Sequence, residues 1–366
     1  MIPPEEEGPA ARRRGARGRG ARSNRAGRYE RTRVEPRDEA DPVLDAEEPP
    51  PLATTVTPEK TRTIITTNDS PDVPFEQSIN PYRGCEHGCV YCFARPTHAY
   101  LGLSPGLDFE TRLFSKPDAA RLLSAELRRP GYVCRTIALG ANTDPYQPIE
   151  RRLGITRSVL ETLAGHRHPV AIVTKSALVR RDLDLLAPMA RDRLASVLIS
   201  ITTLDGDLAR RMEPRAATPA RRLETVRAVS AAGVPTGVLA SPMIPGLNDS
   251  EVEAIVAAAA EAGAASVDYV VLRLPLEIKD LFREWLEEHV PLRARHVLSL
   301  LRDLRGGALY DPAFGRRMRG TGPIAELLRR RFAVARRRHG LTARPAPLDT
   351  TRFRVPPRAG DQGRLF

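Results

Sequence analysis

The stretch Gly84-Cys85-Glu86-His87-Gly88-Cys89-Val90-Tyr91-Cys92-Phe93 constrains this chain more than any other. It sets three thiols as C-x3-C-x2-C within eight residues, and the chain holds only one other cysteine, Cys134. Three thiols so close cannot all pair as disulfides. Soft thiolates select zinc or an iron–sulfur centre. A [4Fe–4S] cluster devoted to electron transfer takes four protein thiolates, so three leave one iron open to bind something else. Gly84 and Gly88 permit a tight loop because neither resists positive φ. Successive N–H groups of such a turn are expected to donate to the cluster sulfurs. The competing reading is a zinc knuckle with His87 or His98 as fourth ligand. It lacks the second, separated ligand pair of a zinc ribbon.

Composition bounds the class. At 366 residues the chain can bury a full core, and α/β barrels commonly use roughly 200–250 residues as one domain. Four cysteines in this length do not make a disulfide-built secreted protein. The start, Met1 to Glu7, is acidic and proline-rich with no apolar segment behind it, so no signal peptide is expected. No stretch approaches the ~18 apolar residues of a membrane span. A reducing cytoplasm fits both observations and would protect a reduced metal centre. The formal charge is +12, but residues 1–37 carry 11 Arg against 5 acids and residues 293–366 carry 18 Arg against 5, leaving the middle at −7. Arginine outnumbers lysine 53 to 4. The basic ends read either as nucleic-acid contacts or as compositional bias with solubility.

In chain order, residues 1–56 read as a disordered Arg/Gly/Pro-rich tail, because runs such as Arg12 to Gly20 have no hydrophobic period to repay ordering. Residues 57–292 form the core. Strands are expected at 75–81, 135–140, 170–175, 196–202, 233–241 and 265–274, with a lead-in strand at 61–66. Helices at 117–127, 156–164, 182–189, 218 onward, 250 onward and 279–288 alternate with them. Six such pairs in right-handed order predict an α/β fold, a partial (β/α)6 TIM-type barrel. Its open side would admit a large substrate. Residues 293–340 read as a basic helical extension, with helices near 293–304 and 323–338. Residues 341–366 read as a loosely ordered Pro/Arg-rich tail.

The cysteine pattern, with Tyr91 just before the last thiol, resembles the signature of the radical S-adenosylmethionine (radical SAM) superfamily. The runs Asn80-Pro81-Tyr82-Arg83-Gly84-Cys85 and Cys92-Phe93-Ala94-Arg95 resemble its spore photoproduct lyase branch. Thr97 to Gly102, Asn142 to Pro148, Thr174-Lys175-Ser176, Glu213 to Ala216 and Ile244 to Asp249 are closer to that branch's uncharacterised bacterial relatives. The resemblance implies a [4Fe–4S] cluster on Cys85, Cys89 and Cys92, with S-adenosyl-L-methionine on the open iron. A flavodoxin- or ferredoxin-type reductant would start its reductive cleavage, and a 5′-deoxyadenosyl radical would take hydrogen from a substrate.

By the same resemblance, Tyr91, Asn142, Ser200, Arg215, Ile244 and Gly246 are expected around the cofactor. The usual Gly-Gly-Glu-like motif is replaced by Gly140-Ala141-Asn142-Thr143. Asp144, Tyr146, Gln147, Lys175, Glu213 and Arg273 are candidates for a substrate pocket. Arg215 either pairs with Glu213 or grips the cofactor carboxylate with its planar guanidinium. Lys175 either meets an anionic group or pairs with Asp182 or Asp184. Cys134 is a candidate hydrogen donor to a substrate radical. The substrate reads as a nucleic-acid lesion or nucleobase, or instead as a peptide or small metabolite. A nucleic-acid-binding protein with a purely structural iron–sulfur or zinc site is the non-enzymatic alternative.

Overall fold

The computed structural model describes residues 19–29 and 52–357. Their strands are β1 (Thr55–Pro58), β2 (Ile65–Thr67), β3 (Gln77–Ile79), β4 (Tyr82–Arg83), β5 (Arg112–Ser115), β6 (Ile137–Leu139), β7 (Val170–Thr174), β8 (Ala195–Ser200), β9 (Thr236–Met243) and β10 (Ser266–Val271). Seven of them form one sheet in the order β10-β9-β8-β7-β6-β3-β2. All its neighbours are parallel except the β2–β3 pair. The six parallel strands are the wall of the expected partial barrel. β1, β5 and β4 make a small separate sheet, which the sequence pattern did not announce.

Local chemistry explains these elements. β7 and β8 read Val-Ala-Ile-Val-Thr and Ala-Ser-Val-Leu-Ile-Ser and are covered on both faces, as parallel strands under crossover helices are. The Ala119–Leu127 helix buries Ala119, Leu122, Leu123 and Leu127, the expected stripe. Thr218 caps the Pro219–Ala231 helix by accepting from Arg221 N. The capping box expected between Ser250 and Glu253 does not form. A 3₁₀ turn, Asp249–Glu251, comes first, and Glu253 pairs with Arg331 at 2.5 Å instead.

The C-terminal extension closes what the sheet leaves open. Helices Pro291–Asp303 and Gly322–Arg338 pack beside β10. Val271 N donates to Met318 O, and Val267 N to Thr342 O, both at 2.9 Å. Those bonds occupy the free edge of β10, which would otherwise offer an unpaired ladder. Across the opening, Gly315 N and the Arg317 guanidinium both bind Asp72, at 2.7 and 2.5 Å. The side expected to stand open is therefore bridged. Four of the six arginines of the Gly322–Arg338 helix are paired in place: Arg329 and Arg330 share Glu326, Arg331 holds Glu253 and Arg336 holds Asp268.

Residues 341–357 are docked, which corrects their reading as a loose tail. Phe353 packs on Tyr132 and His168, and Arg354 N donates to His166 O. Residues 358–366 lie outside the described residues. His168 is buried here, with Nε2 2.8 Å from the Tyr132 hydroxyl. Burial lowers its pKa to about 4, and nearby His166 adds to the effect. The unfolded chain therefore binds a proton that the folded one refuses between about pH 6.5 and 4. Stability should be intact above that window and fall by up to ~3 kcal/mol as the pH drops through it. His168→Gln should flatten this slope in chemical denaturation at several pH values. An unchanged slope would remove His168 from the account.

Candidate active site and metal centre

The cysteine loop follows β3 and β4 and lies over the C-terminal ends of the parallel strands, where barrels carry their chemistry. Gly84 and Gly88 take φ of +74° and +67°. A side chain at Gly84 would strike Leu113 and Phe109 O, and one at Gly88 would strike Glu110. Gln147, fully buried, braces the loop: its Oε1 accepts from Glu86 N at 2.9 Å and its Nε2 donates to Gly84 O at 3.1 Å. Arg95, also fully buried, spends its whole fork on the surroundings of the loop. Nε donates to Cys89 O, Nη1 to Pro105 O and Gly106 O, and Nη2 to Gly88 O and Glu110.

Burial pushes the pKa of all three loop thiols up, and for Cys85 the carboxylate of Asp144 and the other two cysteines add to it. A coordinating cation reverses that balance, since a thiol bound to metal is deprotonated outright. Other neighbours already favour the thiolates. Lys175 acts on Cys89 and Cys92, and Arg95 acts on Cys92. The backbone N–H of His87 is directed at Cys85, and that of Ala94 at Cys92. This donor set fits an iron–sulfur cluster. Among the described residues no three Cys, His, Asp or Glu side chains converge on a single metal ion; cluster thiolates each take a different iron. A Cys3His zinc site would need His87 or His98 to converge with the cysteines on one ion, and among the described residues no such group forms.

Tyr91 enters a buried network. Its hydroxyl donates to Glu213 Oε1, Thr202 Oγ1 lies 2.7 Å from the same oxygen, and Arg222 holds Glu213 Oε2. Arg222 also donates to Ser200 O and Ala217 O. Glu213 is thus locked into the wall and does not line an open pocket. Its partner is Arg222, one helix further on; Arg215 pairs instead with Glu86 at 3.2 Å. Sequence proximity misled here, because the Pro219–Ala231 helix folds Arg222 back over the loop.

Lys175 points its Nζ at Ser200 Oγ, 2.9 Å away, and 5.8 Å from the centre of the Tyr91 ring. Its expected alternatives, Asp182 and Asp184, are taken by Arg157 and Arg181. Asp144 is held between β6 and β7. Thr174 Oγ1 donates to its Oδ1 at 2.7 Å and Lys175 N to its Oδ2 at 2.8 Å. Burial opposes its ionisation, but the His87 ring and these donors outweigh that and hold its pKa down at about 2. Asn142 opens the same turn, its N–H donating to Asn80 Oδ1 at 3.0 Å.

Other expected site residues are structural. Tyr146 is fully buried with its hydroxyl on Asp182, so neither it nor Gln147 faces a pocket. Ile244 N donates to Asn248 Oδ1, and the open side of Gly246 is filled by His296 and Leu300. Asn248, not singled out beforehand as a site residue, ties Thr202 O to Pro242 O. Arg273 lies 5.1 Å from the centre of the Phe93 ring, beside the last cysteine. Cys134 does not join this set. It precedes β6, at the N-terminal end of the barrel, while the cysteine loop caps the C-terminal end. Burial holds its thiol up at about 11.

Part of the stretch read as a disordered tail is seated on this site. Residues 19–29 cross the loop, and Glu110 accepts from Gly20 N at 3.0 Å and Ala21 N at 2.8 Å. Arg22, Arg25 and Arg28 pair with Glu288, Glu284 and Glu277 of the following structure at 2.6, 2.8 and 2.8 Å. Arg95 entered the sequence reading only through the family resemblance, and neither it, Glu110 nor this segment was given a role at the site. The available signal was arginine at every third position and a row of acids on one face of the Ile278–His289 helix. Residues 1–18 and 30–51, including Arg12 to Gly18, lie outside the described residues.

Comparison with known proteins agrees with this geometry. The radical SAM superfamily pattern matches residues 79–259. An uncharacterised protein of Mycobacterium tuberculosis is 38% identical over 292 residues, 78% of this chain and 82% of its own length. One from Methanocaldococcus jannaschii is 27% identical over 213 residues, covering 58% of this chain and 76% of its own. A solved spore photoproduct lyase complexed with dinucleoside spore photoproduct shares the fold, with a TM-score of 0.56 at 15% identity over 78% of each chain. The chain belongs to the radical SAM superfamily. It is a radical SAM enzyme, and it shares its fold with the spore photoproduct lyases.

Arg222→Met should destabilise the chain by ~3–5 kcal/mol, because it strands the buried Glu213 carboxylate. Arg215→Met also leaves a buried carboxylate, Glu86, but that pair opens to solvent on the arginine side, so it should cost less, about 1–2 kcal/mol. Denaturant titration compares the two; equal costs would refute the assignment of Glu213 to Arg222.

Proposed function

We propose that Cys85, Cys89 and Cys92 hold a [4Fe–4S] cluster whose open iron takes S-adenosyl-L-methionine, and that the enzyme uses it to remove hydrogen from a substrate C–H bond. When bound and reduced, that pair supplies a 5′-deoxyadenosyl radical. The observation that carries the reading is three thiols on one braced loop, two buried and Cys92 half-buried, with N–H donors and the Lys175 and Arg95 cations favouring their ionised form.

The chain's own residues bind, aim and exclude water. Tyr91, fixed by Glu213 and Thr202, sets the wall beside the last two cysteines. Lys175 and Ser200 present a cation and a hydroxyl at the ends of β7 and β8, positions suited to the ribose or carboxylate of the cofactor. Asn142 borders the same mouth by resemblance, and Arg215, anchored on Glu86, stands at its rim. Arg273 over Phe93 offers an exposed aromatic face and a guanidinium next to Cys92, which suits a planar or anionic substrate. A flavodoxin- or ferredoxin-type protein would deliver the electron.

For substrate we favour a nucleobase or nucleic-acid lesion, on the fold kinship to a lyase solved with a dinucleoside. A peptide or small metabolite is the alternative. With Cys134 at the opposite end of the barrel, hydrogen return must use another donor or the cofactor itself. No helix among the described residues is long and apolar enough to cross a membrane.

Anaerobic reconstitution with iron and sulfide, then reductant and S-adenosyl-L-methionine, should yield 5′-deoxyadenosine. Alanine at Cys85, Cys89 or Cys92 should abolish it. Cys134→Ala should keep both cluster and product, and loss of the cluster in that variant would overturn the ligand assignment. Lys175→Met should retain iron but slow product formation about ten- to a hundred-fold. Stimulation by duplex DNA or RNA separates the nucleobase reading from the peptide or metabolite one.

A further inference from the structure

Residues 19–29 have little apolar hold on the rest of the chain: Ala21 enters a hydrophobic cluster with Leu107 and Leu281, and Tyr29 stacks on Tyr100 with ring centres 5.5 Å apart. Their attachment is polar and close. A Cβ placed on Gly20 would stand 1.7 Å from Gly88 O, so only glycine lets this segment lie against the cysteine loop. Arg19 donates to Glu110 O at 3.0 Å and Leu52 O at 2.7 Å, and Ser23 Oγ to Glu284 at 2.8 Å. The two N–H bonds from Gly20 and Ala21 fall on the carboxylate that also holds Arg95. Arg95 in turn carries the carbonyls of Gly88 and Cys89.

The contacts thus form one relay, from the segment through Glu110 and Arg95 to the metal-binding loop. Its outer anchors are the three pairs of Arg22, Arg25 and Arg28 with the acidic face of the Ile278–His289 helix. They are partly exposed, and salt screens such pairs. Segments held by few apolar contacts open locally at low cost.

We propose that residues 19–29 are a detachable positioning strap over the cysteine loop. Seated, the strap keeps Glu110 supplied with donors, fixes Arg95 and shields the loop. Released, it leaves the loop carbonyls less fixed and opens a path to the metal. The strap acts through Glu110 and Arg95 and touches no reacting atom. This inference rests on the cluster assignment above for its consequence, and on the chain alone for its mechanics.

The test uses the full chain with Gly20→Val, which blocks seating, and with Arg22→Ala/Arg25→Ala/Arg28→Ala, which removes the outer anchors. Two readouts are taken: iron transfer from the reconstituted protein to a ferrous chelator, and amide exchange of residues 84–92 in iron-free protein. In the unmodified chain both should be slow at low salt and rise roughly ten-fold between 0.05 and 0.5 M salt. Both variants should bind the same iron, start at the fast rate and lose the salt dependence, and lysine at the three arginine positions should restore it in part. Variants that match the unmodified chain in both readouts overturn the strap. So do variants that fold but take up no iron, because the segment would then build the loop and not cover it. If the unmodified chain itself binds no iron, the cluster assignment fails, while amide exchange still decides the strap.

Discussion

The proposed cluster requires three thiols to become anions where burial opposes it, and the contacts of the loop bear on that difficulty. Burial alone keeps Cys85, Cys89 and Cys92 protonated. The fold answers with fixed donors and cations. Arg95 draws the carbonyls of the loop onto one guanidinium, which turns neighbouring N–H groups inward and places positive charge beside Cys92. A lysine could not do this, since a planar fork meets several acceptors at once where an ammonium is a point charge. Gln147 performs the same service from the β6 side. The shape of the loop is therefore set by the chain's own hydrogen bonds.

The charge of the chain has a related logic. A formal charge of +12 suggests a surface offered to phosphates. Much of it is already spent. The arginines of the strap pair with the Ile278–His289 helix, four of those on the Gly322–Arg338 helix pair with Glu326, Glu253 and Asp268, and Arg317 bridges to Asp72. Terminal extensions thus serve as straps and edge covers on a core that is itself acidic. Intramolecular charge complementarity accounts for part of a basic composition that would otherwise be assigned to a partner.

How much of this was legible in the sequence follows from the range of each interaction. The six parallel strands were readable, because apolar runs such as 170–174 and helix stripes such as Leu122, Leu123 and Leu127 are local signals. The cysteine loop was readable because its chemistry needs close spacing. The partner of Glu213 was missed, since a residue two places away looked nearer than one a helical turn into the next element. The strap was missed because its acids lie from 89 to 266 residues along the chain, and no hydrophobic period marks it. The placement of Cys134 was in principle readable: a residue just before a parallel strand belongs at the end of the barrel opposite a loop that follows one. Tyr146 and Gln147 looked like pocket residues because they are polar and follow a strand, yet both are turned into the frame.

The central claim is a three-thiolate cluster with one coordination position kept for the cofactor. Electron paramagnetic resonance of the reconstituted, dithionite-reduced protein tests it most directly, recorded before and after adding S-adenosyl-L-methionine. The account predicts a reduced-cluster signal whose g-values shift when the cofactor binds the open iron, and whose form is unaltered by Cys134→Ala. A silent spectrum from iron-replete protein, or a signal indifferent to the cofactor, would contradict it.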